Sequence, residues 1–114
     1  MNCCENNEHK SIKEKLLSSN EYLQNLERAS KIFSLLGESA RMKIVLALME
    51  GELCVYHICE ITGGKQSATS QHLRKLKDAN IIKCRKVANQ VLYSLADEHV
   101  ISIINTALTH SHCN

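Results

Sequence analysis

The spacing of the apolar residues changes once along this chain, after Asn80, and that change limits the possible folds more than any other feature. Before it, apolar residues recur every three or four positions, a period that predicts helices. After it, the segments IIKCRK and QVLYSL have the length and composition of two short strands. We predict a hairpin that turns at residues 87–89, with Asn89 in the positive-φ position. A last helical run covers about residues 97–110.

Capping and breaking residues divide the helical part into short elements. Residues 18–20 (SSN) interrupt the first apolar run, which predicts two helices there. Ser39 is placed to cap the next helix, the pair Gly63-Gly64 ends a short helix after it, and Ser67 opens another. Helices, a tight helix–turn–helix, a hairpin and a final helix make a mainly α fold with a small β-hairpin. The sequence therefore predicts a winged helix–turn–helix.

The first ten residues are polar and unpatterned, so we predict a mobile arm over residues 1–10 and one DNA-binding and dimerisation domain over residues 11–114. No apolar run reaches the roughly 18 residues of a membrane span. The N-terminus also lacks the basic and apolar regions of a secretory signal. We expect a cytoplasmic protein with no membrane partner, whose six cysteines are thiols or metal ligands rather than disulfides.

Positive charge is concentrated in one segment of a nearly neutral chain. Residues 65–86 contain seven basic residues and a single acidic one, whereas the net charge of the whole chain is only +2. A local basic surface of this kind indicates an anionic partner, most simply nucleic acid. The alternative is a solvated helix face that happens to be rich in lysine.

The helix opened by Ser67 has the features of a DNA recognition helix. Its N-terminal part carries hydroxyl, amide and imidazole groups that can bond base edges and phosphates in the major groove. Basic residues follow in the helix and the hairpin. We predict that DNA is contacted by Gln66, Ser67, Thr69, Ser70, Gln71, His72, Arg74, Lys75, Lys83, Arg85 and Lys86. Because one such domain offers a small contact, we expect a two-fold homodimer on pseudo-palindromic double-stranded DNA.

Candidate metal ligands lie at both ends of the last helix. His99 and His110 share a face but are about 16 Å apart along the axis, so one chain cannot bring both to an ion with Zn–N bonds of about 2.0 Å. Two antiparallel copies of the helix would bring Asp97 and His99 of one chain to His110 of the other, provided that Asp97 is at the non-helical cap. Cys113, on the face of His110, is favoured as the fourth ligand, and His112 is the alternative if the last turn frays.

Three segments, LLGESARMKIVLALMEGELCVYHI, SATSQHLRKLKDANII and VLYSL, resemble the ArsR/SmtB family of metal-sensing winged-helix repressors over about residues 30–113. The resemblance implies a homodimeric repressor that leaves its operator when a divalent metal ion binds, which derepresses efflux or resistance genes. Sensors of this family with a C-terminal-helix site have an Asp-x-His start and a distal His, to which Asp97, His99 and His110 correspond. Cys113 replaces the family's last His or Glu, which favours softer ions such as cadmium. Family members commonly have Gly in the wing turn, where this chain has Ala88.

The family also implies a second, thiolate-rich site. Its ELCV motif carries part of that site, and cysteines of the N-terminal arm complete it. Here Cys54, His57, Cys3 and Cys4 would form a four-coordinate site for cadmium, lead or zinc, with His9 as a further candidate donor. His57 replaces the Asp or Cys that is usual at its position. Either site could control DNA binding.

Two other functions stay open at this point. A redox-sensing repressor of the same fold would oxidise Cys54 to a disulfide or persulfide. A metal-storage or delivery protein would use the same ligands but leaves the basic segment unexplained. A zinc hydrolase is not expected, because the chain has no H-E-x-x-H or comparable pairing of base and zinc ligands, and we expect no enzyme.

Overall fold

The computed structural model describes residues 7–112, with side chains from residue 8 onward. Over that part of the chain it has six helices and three strands. In chain order they are α1 (Asn7–Leu17), α2 (Asn20–Leu36), α3 (Ser39–Leu48), β1 (Leu53–Cys54), α4 (Val55–Thr62), α5 (Gln66–Asp78), β2 (Ile82–Val87), β3 (Gln90–Leu95) and α6 (Glu98–Ser111). Helix α1 begins inside the segment expected to be an arm, so residues 7–10 are helical.

The chain divides into two units, the first ending at Phe33 and the second beginning at Ser34. The first unit contains α1 and most of α2, and it leaves apolar side chains such as Leu23, Leu26 and Phe33 exposed. The second unit contains the last turn of α2, the other four helices and the sheet. None of the helices in the described part of the chain is both long and apolar enough to cross a membrane.

The core of the second unit is aliphatic, as expected for a chain with one Phe and no Trp. Helices α3, α4 and α5 pack on one another, and α5 also packs on β2. The largest fully buried side chains are Ile44, Val45, Ile58, Leu73, Leu76, Ile81, Ile82 and Ile104. Burial of a side chain of this size contributes about 1.5–3 kcal/mol relative to exposure. The buried side of α5 therefore fixes which of its residues face outward.

The predicted hairpin is confirmed, and the structure adds a third strand, β1, to give an antiparallel sheet of order β1-β3-β2. Strand β1 has two residues, too few for an alternating pattern to predict it. Leu92 pairs with both Cys54 and Arg85, so this row of side chains shares one face of the sheet. The neighbouring row, in which Tyr93 pairs with Leu53 and Cys84, is on the opposite face.

The wing turn differs from the prediction at one residue. Val87 pairs with Gln90, so residues 88 and 89 form a two-residue loop, and the positive φ, 55°, belongs to Ala88. The prediction that Asn89 takes this conformation is wrong. The register places Ala88 at the first central position, where some tight hairpin turns require φ > 0 and favour Gly. Alanine is strained there because its Cβ approaches the backbone.

The helix starts also differ slightly from those predicted. Glu38, not Ser39, caps α3, and its carboxylate accepts a hydrogen bond of 3.2 Å from the Ala40 N–H. Ser67 lies inside α5, which begins at Gln66 after Lys65. Gly63 ends α4 in the left-handed conformation (φ 76°), as its position in the predicted turn required.

Candidate nucleic-acid interface and metal-ligand pairs

Helix α5 presents a polar surface opposite its buried leucines. Ser67, Ser70, Gln71, Arg74 and Lys75 are exposed, and so is Gln66 at the start of the helix. These side chains are the predicted contacts to base edges and phosphates. A helix held on the core by Leu73 and Leu76 offers them in a fixed orientation, which sequence-dependent binding requires.

Thr69 is buried, only 3% exposed, so the expectation that it points outward with its neighbours is wrong. It lies four residues before Leu73 and seven before Leu76, and this spacing puts it on the buried side of the helix. Its hydroxyl fills the space over Gly64, where an added Cβ would be 2.8 Å from Thr69 Oγ1. Thr69 therefore packs the turn between α4 and α5 and does not reach the surface.

His72 is half-buried at the side of α5, between the exposed and the buried faces. Its Nδ1 is buried and has no hydrogen-bond partner among the described residues. His72 therefore lies at the edge of the exposed face and not on it.

The three basic residues predicted in the wing do not share a face. In the register of β2, Lys83 and Arg85 are on the face of Cys54, whereas Lys86 is on the face of Tyr93. Arg85 is also engaged, because its guanidinium donates to Glu52 in two hydrogen bonds, Nε to Oε2 at 2.6 Å and Nη2 to Oε1 at 2.7 Å. No local pattern in the sequence predicts this pair, whose members are 33 positions apart.

This ion pair shifts both of its groups toward their charged forms. The hydrogen bond from Arg85 holds the pKa of the Glu52 carboxyl below its usual value, and Lys83 adds to the effect. The carboxylate in turn raises the pKa of Arg85. Glu52 is two residues before Cys54, so the wing is tied by charge to the strand that carries the candidate thiol ligand.

The start of α6 brings two predicted metal ligands together. Asp97 is the N-cap, in an extended conformation, and its Oδ1 accepts a hydrogen bond of 3.1 Å from the Val100 N–H. The prediction that it occupies the non-helical cap is confirmed. His99 Nδ1 is 3.7 Å from the same oxygen, and the His99 ring is 95% exposed. In a tetrahedral zinc site, oxygen and nitrogen ligands are about 3.4 Å apart, so this pair fits two corners of such a site after a small side-chain movement.

The other predicted ligands of α6 lie at its far end. The helix is unbroken from Glu98 to Ser111, so His110 is about 16 Å along the axis from His99. His110 is exposed, and His112, also exposed, is the C-cap residue. Cys113 lies outside the described residues. The structure therefore keeps the two ends of the helix apart within one chain, as the spacing predicted.

Cys54 and His57 form a second pair of donors. Cys54 precedes the first turn of α4, and its Sγ is 3.5 Å from His57 Nδ1. Zinc bonds of about 2.3 Å to sulfur and 2.0–2.1 Å to nitrogen give a separation of about 3.5 Å between two tetrahedral ligands, so this pair fits without movement. Cys54 is only 4% exposed, whereas His57 is exposed, so an ion would approach from the side of the imidazole.

The remaining members of this second set do not belong to the described part of the unit that contains Cys54. Cys3 and Cys4 lie outside the described residues, and His9 is on α1 in the first unit. Within residues 7–112, no three potential ligand side chains of His, Cys, Asp or Glu converge on one point. Each pair is two donors of a set that takes four in a structural zinc site.

Comparisons with known proteins identify the family to which the chain belongs. The sequence profile described as "Bacterial regulatory protein, arsR family" matches residues 38–83, which run from the cap of α3 into β2. The cadmium resistance transcriptional regulatory protein CadC homolog of Staphylococcus aureus is 41% identical over 88 residues, covering 76% of this chain and 73% of that protein. The transcriptional repressor SmtB homolog of Synechocystis sp. is 33% identical over 88 residues, covering 77% and 67%.

A solved structure shows the same fold. The crystal structure of NolR from Sinorhizobium fredii matches with a TM-score of 0.74 and 31% sequence identity, covering 82% of this chain and 93% of that one. The helix–turn–helix with its exposed polar α5, the β2–β3 wing and these relatives all lead to one assignment. The chain belongs to the arsR family of bacterial regulatory proteins, and it is a winged helix–turn–helix DNA-binding transcriptional regulator and not an enzyme.

Proposed function

We propose that the protein is a metal-responsive transcriptional repressor that binds double-stranded operator DNA as a homodimer. It leaves the operator when a divalent metal ion of the zinc and cadmium class binds, which derepresses genes of metal efflux or resistance. Two relatives support this proposal by name, one a cadmium-resistance regulator and the other a repressor. The compartment that fits a DNA partner and reduced thiols is the cytoplasm.

The observation that carries this proposal is that candidate ligands converge in pairs, while the residues described in one chain do not complete a ligand set. Asp97 and His99 meet at the start of α6, and His110 is held about 16 Å away by an unbroken helix. Two antiparallel α6 helices would bring His110 of one copy to the Asp97–His99 pair of the other. This arrangement gives two equal sites, and the fourth donor of each is Cys113 or, alternatively, His112.

The second site in this proposal is built on the Cys54–His57 pair, with Cys3 and Cys4 of the N-terminal segment as the completing ligands and His9 as a further candidate. The fit of the 3.5 Å separation to a tetrahedral site supports it. The thiolates of its three cysteines would favour cadmium over harder ions. Both sites need deprotonated ligands, so metal response weakens at acidic pH.

Exposed apolar side chains support the dimer. Ile101 and Leu108 are seven residues apart on α6, so they form one stripe along the helix, and both are exposed in the single chain. The first unit exposes Leu23, Leu26 and Phe33 in the same way. A second copy that covered these groups would remove apolar surface from water, which is the main favourable term in association.

In the proposed complex, α5 enters the major groove and its exposed residues read the operator. The base-reading and phosphate-binding set is the predicted one without the buried Thr69, with the wing residues beside it: Gln66, Ser67, Ser70, Gln71, His72, Arg74, Lys75, Lys83, Arg85 and Lys86. Two α5 helices must be about 34 Å apart to enter successive major grooves.

Metal response then follows from linkage between two binding equilibria. A bound divalent ion would supply a cross-link between the two copies at α6 and so fix their relative position. Release requires tighter metal binding by the free dimer than by the DNA-bound dimer, and a hundredfold difference corresponds to about 2.8 kcal/mol. Ligands on α6 could act on α5 in this way because the buried Ile104 anchors α6 in the core.

The test is operator release measured by fluorescence anisotropy during titration with zinc and with cadmium, in the presence of a reductant. The probe is an operator duplex selected from random DNA by rounds of binding. Wild-type protein is expected to release it. His99→Ala should raise the half-release concentration at least tenfold if the α6 site controls release, and Cys54→Ala should do so if the thiolate site does. Cys84→Ala is the matched thiol control. Unchanged release by the His99→Ala/Cys54→Ala double variant contradicts the proposal.

A thiol-redox repressor is the second candidate, supported by the contact between Cys54 and the His57 ring. The sheet limits it, because Cys54 and Cys84 are on opposite faces and two strands apart, about 9.6 Å at the usual strand spacing. A disulfide needs Cα atoms closer than about 7 Å, so these two thiols cannot pair in this fold. Operator release by peroxide alone, in metal-free solution, would favour this candidate over metal sensing.

A further inference from the structure

Two grooves border helix α5, one on each side. The first groove, of about 210 Å³, separates α5 from α3 and from the turn after α4, and its lining includes His72, Lys43, Ser39 and Thr62. The second, of about 400 Å³, separates α5 from the wing, and its lining includes Ser70, Arg74, Lys77 and Tyr93. Neither Lys43, Lys77 nor Tyr93 belongs to the interface that the sequence predicted.

The angular positions of the residues around the axis of α5 explain why the grooves are on opposite sides. At 100° per residue, Gln71 and Arg74 are within about 40° of Ser67, which defines the outward direction. His72 is turned about 140° to one side of Ser67, and Lys77 about 80° to the other. The grooves therefore lie on opposite sides of the exposed face, and His72 is at the inner edge of the first, about as far round as the buried Leu73.

The dimensions of DNA place a phosphate backbone at each groove. A helix with its side chains is about 10–12 Å across, and the major groove of B-DNA is about 12 Å wide. A recognition helix thus fills the groove, and the two sugar–phosphate backbones run along its sides. In this pose each backbone passes over one of the two grooves.

The chemistry of both grooves suits phosphate. In the first, Lys43 provides an exposed ammonium group and the half-buried His72 provides an imidazole; no carboxylate among the described residues lines this groove. In the second, Lys77 and Arg74 provide charge and Tyr93 provides a phenolic hydroxyl, with Asp78 as the one acid in the lining. Lysine, arginine, tyrosine and imidazole donors are the groups that proteins use on phosphate oxygens.

We propose that these grooves hold the two backbones of the operator, with Lys43 and His72 on one strand and Lys77 and Tyr93 on the other. This assignment rests on the proposed DNA binding and deepens it. His72 becomes a backbone contact, and base reading is left to the exposed face at Ser67, Gln71 and Arg74. Backbone contacts set the register of a protein on DNA but carry no sequence information.

The test compares Lys43→Gln, Lys77→Gln and Tyr93→Phe with wild type on an operator duplex and on a scrambled duplex, at several salt concentrations. Each lysine that contacts a phosphate contributes about 0.9 to the salt slope per subunit, so each lysine variant of a dimer should lose about 1.8 in slope. At 0.1 M salt this corresponds to about sixtyfold weaker binding, by the same factor on both duplexes. Tyr93→Phe should weaken binding to both duplexes equally and leave the slope unchanged.

Lys31→Gln is the matched control, since it removes the same charge from α2, outside α5 and both grooves, and it should keep the wild-type slope. Circular dichroism melting confirms that each variant is folded. Wild-type binding with slopes that neither lysine variant changes would overturn the groove assignment and leave DNA binding intact. A loss confined to the operator duplex would also overturn it, because it would indicate base reading. Failure of the wild type to bind any duplex would overturn the proposed function as well.

Discussion

At the scale of single residues, the most informative contact is one that joins the wing to the strand of the candidate thiol ligand. Glu52 accepts two hydrogen bonds from Arg85, and the arginine lowers the pKa of the carboxyl. Because Arg85 shares its charge with Glu52, it offers less to a phosphate than the neighbouring Lys86. The same pair fixes the wing relative to β1, two residues from Cys54.

Glu52→Gln should lower stability slightly at neutral pH and not at all in acid. The pKa of Glu52 is lower in the folded protein than in the unfolded chain, so the pair stabilises the fold above the unfolded value of about 4.3. That contribution is lost as the pH falls through the lowered pKa. Urea unfolding of wild type and variant at pH 7 and at about pH 3 measures the difference, with Glu60→Gln as control. A difference that persists unchanged at about pH 3 would contradict this assignment.

At the scale of elements, the turn between α4 and α5 depends on close packing behind the recognition helix. Gly63 takes the left-handed conformation that ends α4, and Gly64 lies against the buried Thr69 of α5. Thr69, which was predicted from the sequence to contact DNA, therefore helps to position the recognition helix α5 instead. The angle between the two helices is determined by this contact and by the leucines of the core.

Gly64→Ala should destabilise the protein by about 1–3 kcal/mol, the usual cost of forcing an extra carbon into a packed site. The added Cβ would be 2.8 Å from Thr69 Oγ1, and Thr69 is too buried to move aside freely. Adding Thr69→Ala removes the opposing atom, so the double variant should lose less than the sum of the two single changes. Urea denaturation of the wild type, the two single variants and the double variant measures the free energies of unfolding for this double-mutant cycle. If the losses in free energy of unfolding are additive, the contact between residues 64 and 69 does not control the turn.

At the scale of the whole molecule, the proposed function requires two copies of the chain. One chain presents Asp97 with His99 and, about 16 Å away, His110, and it exposes apolar side chains on α2 and α6. Among residues 8–112, neither half-site is a complete ligand set. Association of two chains would complete both half-sites and cover these apolar groups together.

Mixed dimers of His99→Ala and His110→Ala chains should recover metal response that neither variant shows alone, if the α6 site controls release. In antiparallel pairing, each homodimer lacks one ligand at both sites, whereas a mixed dimer keeps one intact site and loses two ligands from the other. Operator release by zinc is measured after the variants are unfolded together and refolded. A His99→Ala/His110→Ala chain mixed with wild type is the control, because no site in that mixed dimer is complete. If each variant alone has lost the response, lack of recovery would exclude the antiparallel intersubunit site.

Much of the fold could be predicted because its signals are local. Apolar period, glycine at helix ends and the Asp97 cap act over about four residues, so the sequence specified the order of helices, the hairpin and the convergence of Asp97 with His99. Strand β1 was not predictable, since two residues carry no alternation. The positive φ of Ala88 was missed because composition favours Asn89, while strand register decides which residue takes it.

Residue type and helical period identify the candidate ligands for a metal or DNA and show which of them share a helix face. Packing between distant parts of the chain sets which of those side chains are exposed and unpaired. It buried Thr69 against Gly64, joined Arg85 to Glu52 across 33 positions and placed Lys43 and Tyr93 beside α5. The reason is physical: helix rotation and capping depend on neighbours within a turn, whereas burial and cross-strand pairing depend on residues that only packing brings into contact.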